Sequence, residues 1–284
     1  MLRIVPLVLV TGILASGCGS SGRALDGVPG TATAAAGAFR VLLFSRTVGY
    51  RHDSIPAAIA ALMQLQPDGD YQAEATEDPT TFTADNLGRF QVVVFLLTTG
   101  DVLNEAQQAA FEAWVGAGGS YFGVHSASDT EYDWPFYQQL VGAAFAQHPD
   151  VQQATVEIEA PGHPAVAGLP SLWSRRDEWY DFRSNPRGAV TVLATVDESS
   201  YSGGTMGPDH PIVWAHETAS GSRAFYTGMG HTQESYTEPA FRKHLLSALS
   251  WLGHVEQPID AGNGAYDGAY DAANQGAGQA SPSP

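Results

Sequence analysis

The sequence predicts an α/β protein, a mostly parallel sheet with helices on both faces and some added antiparallel strands. Three observations lead to it. Short apolar runs alternate with helical patterns from residue 39 to residue 254. One of these runs, Gln91-Val92-Val93-Val94-Phe95-Leu96, is continuous and β-branched, which suits a strand buried on both faces. The chain has 284 residues, 44% of them hydrophobic, enough to build a sizeable core.

The elements follow in order. Phe39 to Phe44 reads as the first strand. A helix comes next, with Ser54 as its cap, Pro56 in its first turn, and Ile55, Ile59, Leu62 and Leu65 on one face. Gln91 to Leu96 is the next strand. Asn104 to Val115 is a helix, opened by a capping box of Asn104 and Gln107 and ended by Gly118-Gly119. Ser120 to Val124 is a strand, and Trp134 to Val141 a helix. Val190 to Val196, Ile212 to His216 and Arg223 to Tyr226 are strands. A helix from Pro239 to Leu252 closes the body, its apolar face formed by Phe241, Leu245, Leu249 and Leu252. The stretch from 151 to 222 is less regular and is where antiparallel strands are expected.

The ends have a different composition. Residues 1–17 carry Arg3, an apolar run and small residues, the pattern of a signal peptide. Ala15-Ser16-Gly17-Cys18 resembles a bacterial lipobox, so the expectation is an exported protein anchored to a membrane only by lipid on Cys18. Residues 18–38 suit a flexible tether. The folded domain spans 39–254, and 255–284 reads as a disordered tail with little to bury. Cys18 is the single cysteine, which leaves no thiol for a nucleophile in the body. Thirteen basic against thirty acidic residues give a formal net charge of -17, which argues against nucleic acid as a partner.

Ligands of open α/β sheets bind beyond the carboxyl ends of the strands. His125 directly follows one strand, His52 lies a short loop beyond the first, and His231 lies just past the last. If those strands are parallel, the three imidazoles meet in one cleft. Asp129, Glu131 and Asp133, interleaved with Tyr132 and Trp134, follow His125; Asp177-Glu178-Trp179-Tyr180 repeats the chemistry beside Arg183. Carboxylates and aromatic rings together suit a sugar, whose hydroxyls donate to acids while its apolar face covers a ring. His148, before a proline, is an outside candidate; His163 and His210 share that turn context, and His244 and His254 are expected at the surface.

The blocks GYRHDSIPAAI (49–59), VVVFLLTTGDVL (92–103), GVHSASDTEYDWPFY (123–137), DEWYDFRSNPRG (177–188), MGPDHPIVW (206–214) and GMGHTQESY (228–236) together resemble the ThuA-like (trehalose-utilisation) domain over roughly 39 to 253. The resemblance implies a flavodoxin-like fold related to class I glutamine amidotransferases, and a role in disaccharide catabolism alongside dehydrogenases that make 3-keto sugars. Those amidotransferases carry a nucleophilic cysteine on the turn after a strand. Here that position holds His125, so glutamine hydrolysis is not expected.

The leading expectation is an enzyme acting on a disaccharide or 3-keto sugar by acid–base chemistry. His52, His125, Asp129, Glu178 and His231 are its candidate catalytic residues, and Tyr132, Trp134, Trp179, Tyr180, Arg183 and His148 its candidate substrate contacts. A non-catalytic carbohydrate-binding lipoprotein and a structural envelope protein are the alternatives. Three histidines and a carboxylate also admit a zinc site, though no compact metal spacing supports one. No GxGxxG or P-loop signature calls for a nucleotide.

Overall fold

The structure is a computed structural model that describes residues 38–254. The expected signal peptide, the lipidation of Cys18, most of the expected tether and the expected tail fall outside the described residues. Strands β1 (Phe39–Phe44), β2 (Tyr71–Thr76), β3 (Val92–Leu96) and β4 (Ser120–Val124) alternate with helices α1 (Ile55–Gln64), α2 (Gln66–Gly69), α3 (Ala84–Leu87) and α4 (Glu105–Gly116). Helix α5 (Pro135–Val141) then leads into β5 (Phe145–Gln147), β6 (Gln152–Ile158), β7 (Leu172–Asp177), β8 (Asp181–Phe182), β9 (Thr191–Asp197), β10 (Pro211–Glu217) and β11 (Arg223–Thr227). Helix α6 (Pro239–Leu252) closes the chain.

Nine strands form one sheet in the order β2-β1-β3-β4-β11-β10-β9-β6-β7, while β5 and β8 pair separately. From β2 to β11 every neighbour is parallel. Beyond β11 the pairs β11–β10, β10–β9, β9–β6 and β6–β7 are antiparallel. The parallel half is flavodoxin-like, and the irregular stretch supplies the antiparallel half. Strands β3 and β4 are buried along their whole length, which is why their runs are continuous rather than alternating.

Helix α4 keeps its reciprocal Asn104–Gln107 capping box and ends near Gly118, whose φ of +109° suits glycine. At α1, Ser54 stands at the cap position, but its hydroxyl makes no cap bond; it donates to the Gly230 carbonyl at 3.3 Å instead. This ties the start of α1 to the loop after β11. One histidine departs from expectation. His244 is buried on the apolar face of α6 among Trp173, Phe225 and Phe241, not at the surface. His210 keeps its turn before Pro211 and is buried there, its Nε2–H donating to the Tyr180 carbonyl at 2.8 Å and its Nδ1 2.9 Å from Glu198.

Candidate active site

The carboxyl ends of β1, β4 and β11 lie side by side because these strands are parallel and close together in the sheet. Immediately after β4 the chain enters the left-handed region at His125, φ +51°, and folds into a tight turn from His125 to Asp129. A non-glycine residue there costs about 1–2 kcal/mol, so the surroundings must hold it. They do so from β11: the Tyr226 hydroxyl donates to the His125 carbonyl at 2.7 Å, and the Gly228 carbonyl lies 2.7 Å from His125 Nδ1. A carbonyl only accepts, so the ring proton belongs on Nδ1 and the Nε2 lone pair faces the cleft.

His52 arrives on the loop after β1, which is pinned by the Val48 N–H donating to the Thr99 carbonyl. Its Nδ1 lies 3.4 Å from Ser126 Oγ. His231 follows Gly230 at the end of β11. The three rings meet edge to face, with centroids 4.9 Å apart for His52–His125, 5.1 Å for His52–His231 and 5.3 Å for His125–His231.

Glu178 joins them from the end of β7, four places along the sheet from β11. Asp177 makes that approach possible. Its Oδ1 accepts from the backbone N–H of Glu178 and of His231, both at 3.0 Å, and its Oδ2 from Gly230 N–H at 2.8 Å. Arg175, also buried, pairs with the same carboxylate at 3.2 Å. Asp177 thus clamps two loops from opposite halves of the sheet. Its place in the DEWYD block was visible, but its service to backbone rather than substrate was not.

Glu178 is 5% exposed, and its Oε2 lies 3.0 Å from His231 Nδ1 and 3.3 Å from His125 Nε2. Burial alone would raise its pKa, but the imidazoles of His125 and His231 outweigh that and hold the carboxyl well below the usual carboxylate range. Burial lowers the His52 pKa to about 2, and the neighbouring His125 and His231 push the same way. Burial also works against a charge on His231, yet Glu178 reverses the balance and raises its pKa. The His231 side chain, 22% exposed, is the cluster's contact with solvent.

The other candidates divide. His148 reaches the cluster, its Nδ1 3.1 Å from Glu178 Oε1. Tyr180 covers His125, ring centroids 4.1 Å apart and tilted by 34°. Asp129 lies one turn away, accepting from the Tyr132 hydroxyl at 2.6 Å, and burial raises its pKa. The Arg183 guanidinium lies over the Tyr132 ring at 4.1 Å. Glu131, by contrast, accepts from the Val102 and Leu103 N–H groups ahead of α4, a structural task.

Trp134 and Trp179 do not serve as substrate surfaces here. Trp134 packs on Phe111 and Tyr137, and Trp179 is fully buried with its Nε1–H on the Gln152 carbonyl. The exposed ring beside the cluster is Tyr50, 64% exposed and 4.9 Å from His52. Its position two residues before His52 was the available signal. A separate hollow of ≈ 710 Å³, lined by Val115, Phe136, Leu140 and His216 among others, contains none of these residues.

A parallel sheet in flavodoxin order, with a histidine and no thiol on the turn after β4, defines a flavodoxin-like α/β protein. The ThuA family model, described as trehalose utilisation, matches residues 40–252, and the chain belongs to that family. A ThuA-like protein of Bacteroides uniformis ATCC 8492 superposes with a TM-score of 0.65 at 23% identity, covering 80% of this chain and 95% of its own. One from Parabacteroides merdae ATCC 43184 also gives 0.65, at 21% identity and with 78% and 92% covered. These likenesses bear on the fold. None of the curated proteins compared with the chain matches it.

Proposed function

We propose that this chain is an exported enzyme that acts on a disaccharide or 3-keto sugar through its histidine–carboxylate cluster, without glutamine amidotransferase activity. The observation that carries the reading is the convergence of His52, His125 and His231 on the buried Glu178 at the carboxyl edge of the parallel strands. Binding alone does not require four buried or half-buried ionisable groups in contact. The family description, trehalose utilisation, supports a sugar as substrate. The N-terminal pattern ending at Cys18 supports export and a lipid anchor.

A ketone at C3 acidifies the C2–H. A ring nitrogen of the cluster takes that proton, the C–H electron pair becomes an enolate, and the enolate expels the glycosidic oxygen from C1. The departing oxygen then takes up a proton. One base suffices, so the paired carboxylates of ordinary glycosidases are not needed. His231 is the partly exposed ring and the one we assign to meet the substrate. His125, fixed by Gly228, and Glu178 orient it, while Tyr50, Tyr132, Arg183 and Asp129 line the approach.

The non-catalytic alternative would rest on Tyr50 as its exposed ring, since Trp134 and Trp179 are buried. The test is turnover of disaccharides and their 3-keto forms by wild type, His231→Ala and Glu178→Gln. Loss of turnover of about 100-fold or more in both variants is expected. Saturable sugar binding without turnover, unchanged in both, would establish the binding protein instead.

A further inference from the structure

We infer that His125, His231 and Glu178 hold a divalent cation of the zinc type, with His52 completing the set. The inference rests on reading this cluster as the functional site, and it adds a ligand that the acid–base reading does not contain.

Two imidazole nitrogens and one carboxylate oxygen surround one point. His125 Nε2 and His231 Nδ1 are 3.3 Å apart, and Glu178 Oε2 lies 3.3 Å from the first and 3.0 Å from the second. A tetrahedral ion with ligand bonds of about 2.0–2.1 Å has ligand–ligand edges of about 3.3–3.4 Å. The triangle therefore has the size of one face of such a coordination shell. His52 brings a fourth ligand atom within 4.8 Å of the other three.

The atoms also need a positive partner. Glu178 Oε2 is buried and has no hydrogen-bond partner, although two imidazole nitrogens are close to it. His125 has given its Nδ1–H to the Gly228 carbonyl, so its Nε2 offers a lone pair. A single proton would bridge only one pair of these atoms and leave the third facing like charge density. A cation satisfies all three.

The supporting groups match a built metal site. Metal-ligating histidines usually give their other N–H to a carbonyl or carboxylate, and the Gly228 carbonyl does this for His125. Ser126 Oγ stands beside His52 Nδ1, and His148 Nδ1 lies 3.1 Å from the free oxygen of Glu178. Two imidazoles and one carboxylate with a further position beside them are the donors of hydrolytic zinc sites. With the cation bound, His231 would hold the ion and yield the proton-taking role proposed for it above to a water on that ion, so turnover would depend on the ion.

The experiment uses the full chain purified without a histidine tag, stripped with a chelator and then titrated with zinc(II) against a chromophoric competitor. One equivalent should bind, and the melting midpoint should rise. His125→Ala, His231→Ala and Glu178→Gln should each weaken binding by about 100-fold or more, and His148→Ala by about 10- to 100-fold. His254→Ala, remote from the cluster, should bind as wild type does. If the ligand variants do not fold, X-ray absorption of the zinc-loaded wild type decides, with nitrogen and oxygen neighbours at about 2.0–2.1 Å expected.

No stoichiometric binding and no midpoint shift in folded protein would overturn the inference, as would binding that survives all three ligand substitutions. Turnover that persists in chelator, in metal-free protein, would overturn the cation while sustaining the acid–base reading. Zinc bound through these residues without any sugar turnover would sustain the cation and remove the enzyme.

Discussion

His125 combines complete burial with a left-handed backbone, which costs a non-glycine residue about 1–2 kcal/mol. A scaffold position under no other demand would take glycine there, since glycine adopts positive φ without steric cost. The imidazole is retained, and its polar edge is divided between a carbonyl on one side and the cluster on the other. Its deletion therefore has two opposing effects on stability. Replacing His125 with alanine leaves the buried Gly228 carbonyl unpaired, which costs about 1–3 kcal/mol. This exceeds the small loss expected for a ring standing in an open cleft. Replacing it with glycine loses the same bond but relieves the backbone. Denaturant melts should rank His125→Gly above His125→Ala by about 1 kcal/mol, with both below wild type. The reverse ranking would show that the turn does not hold this φ in solution.

At the scale of elements, Asp177 joins the end of β7 to the loop after β11. Its substitution by asparagine preserves shape but removes the charge that faces Arg175. Removing one partner of a buried ion pair typically costs about 3–5 kcal/mol. Stability should fall by that order, and turnover should fall with it because Glu178 and His231 lose their common anchor. A variant that keeps full stability and activity would refute the clamp. Helix α6 gives a second prediction. His244 has neither ring nitrogen paired. Burial, aided by the Arg175 charge, lowers its pKa from 6.5 to about 3. The unfolded chain therefore binds the extra proton, and this contribution to stability is lost as pH falls from about 6.5 toward about 3. His244→Leu should raise stability at neutral pH by about 1–3 kcal/mol and flatten that acid limb. Equal acid sensitivity in the two proteins, measured by melts across this range, would contradict it.

The same element separates what the sequence disclosed from what it concealed. The α6 periodicity identified Phe241, Leu245, Leu249 and Leu252, but hydrophobicity alone cannot seat a histidine between them. Strands β3 and β4 were legible because both faces are buried, and β4 placed His125 at a strand end, as β1 and β11 did for His52 and His231. Strand β2, Tyr71 to Thr76, was not legible: it is a half-exposed edge, held to β1 mainly by backbone pairing. Trp134 and Trp179 were placed with the substrate because an aromatic beside an acid reads alike in a binding face and in a core. Glu178 was legible as a type of residue, yet its meeting with His231 depends on β7 returning from the far edge of the sheet, which no local pattern encodes.

For the whole molecule, the distribution of core residues bounds the folding unit. Among the described residues, the buried apolar side chains begin at Phe39 and end at Leu252, and the family match covers 40–252. From Ala261 onward the sequence has no branched aliphatic residue, and Tyr266 and Tyr270 are its only large side chains with apolar surface. Removing every residue from Ala261 onward should therefore leave the thermal midpoint unchanged. The measurement is sensitive enough to decide, because a docked tail worth only 1 kcal/mol would shift the midpoint of a domain this size by about 2–4 °C. The truncated chain should also retain the cluster's affinity for its ligand, since among the described residues no member of the cluster lies beyond His231. A midpoint lowered by several degrees would mean that the tail packs on the body and that the domain extends past residue 254.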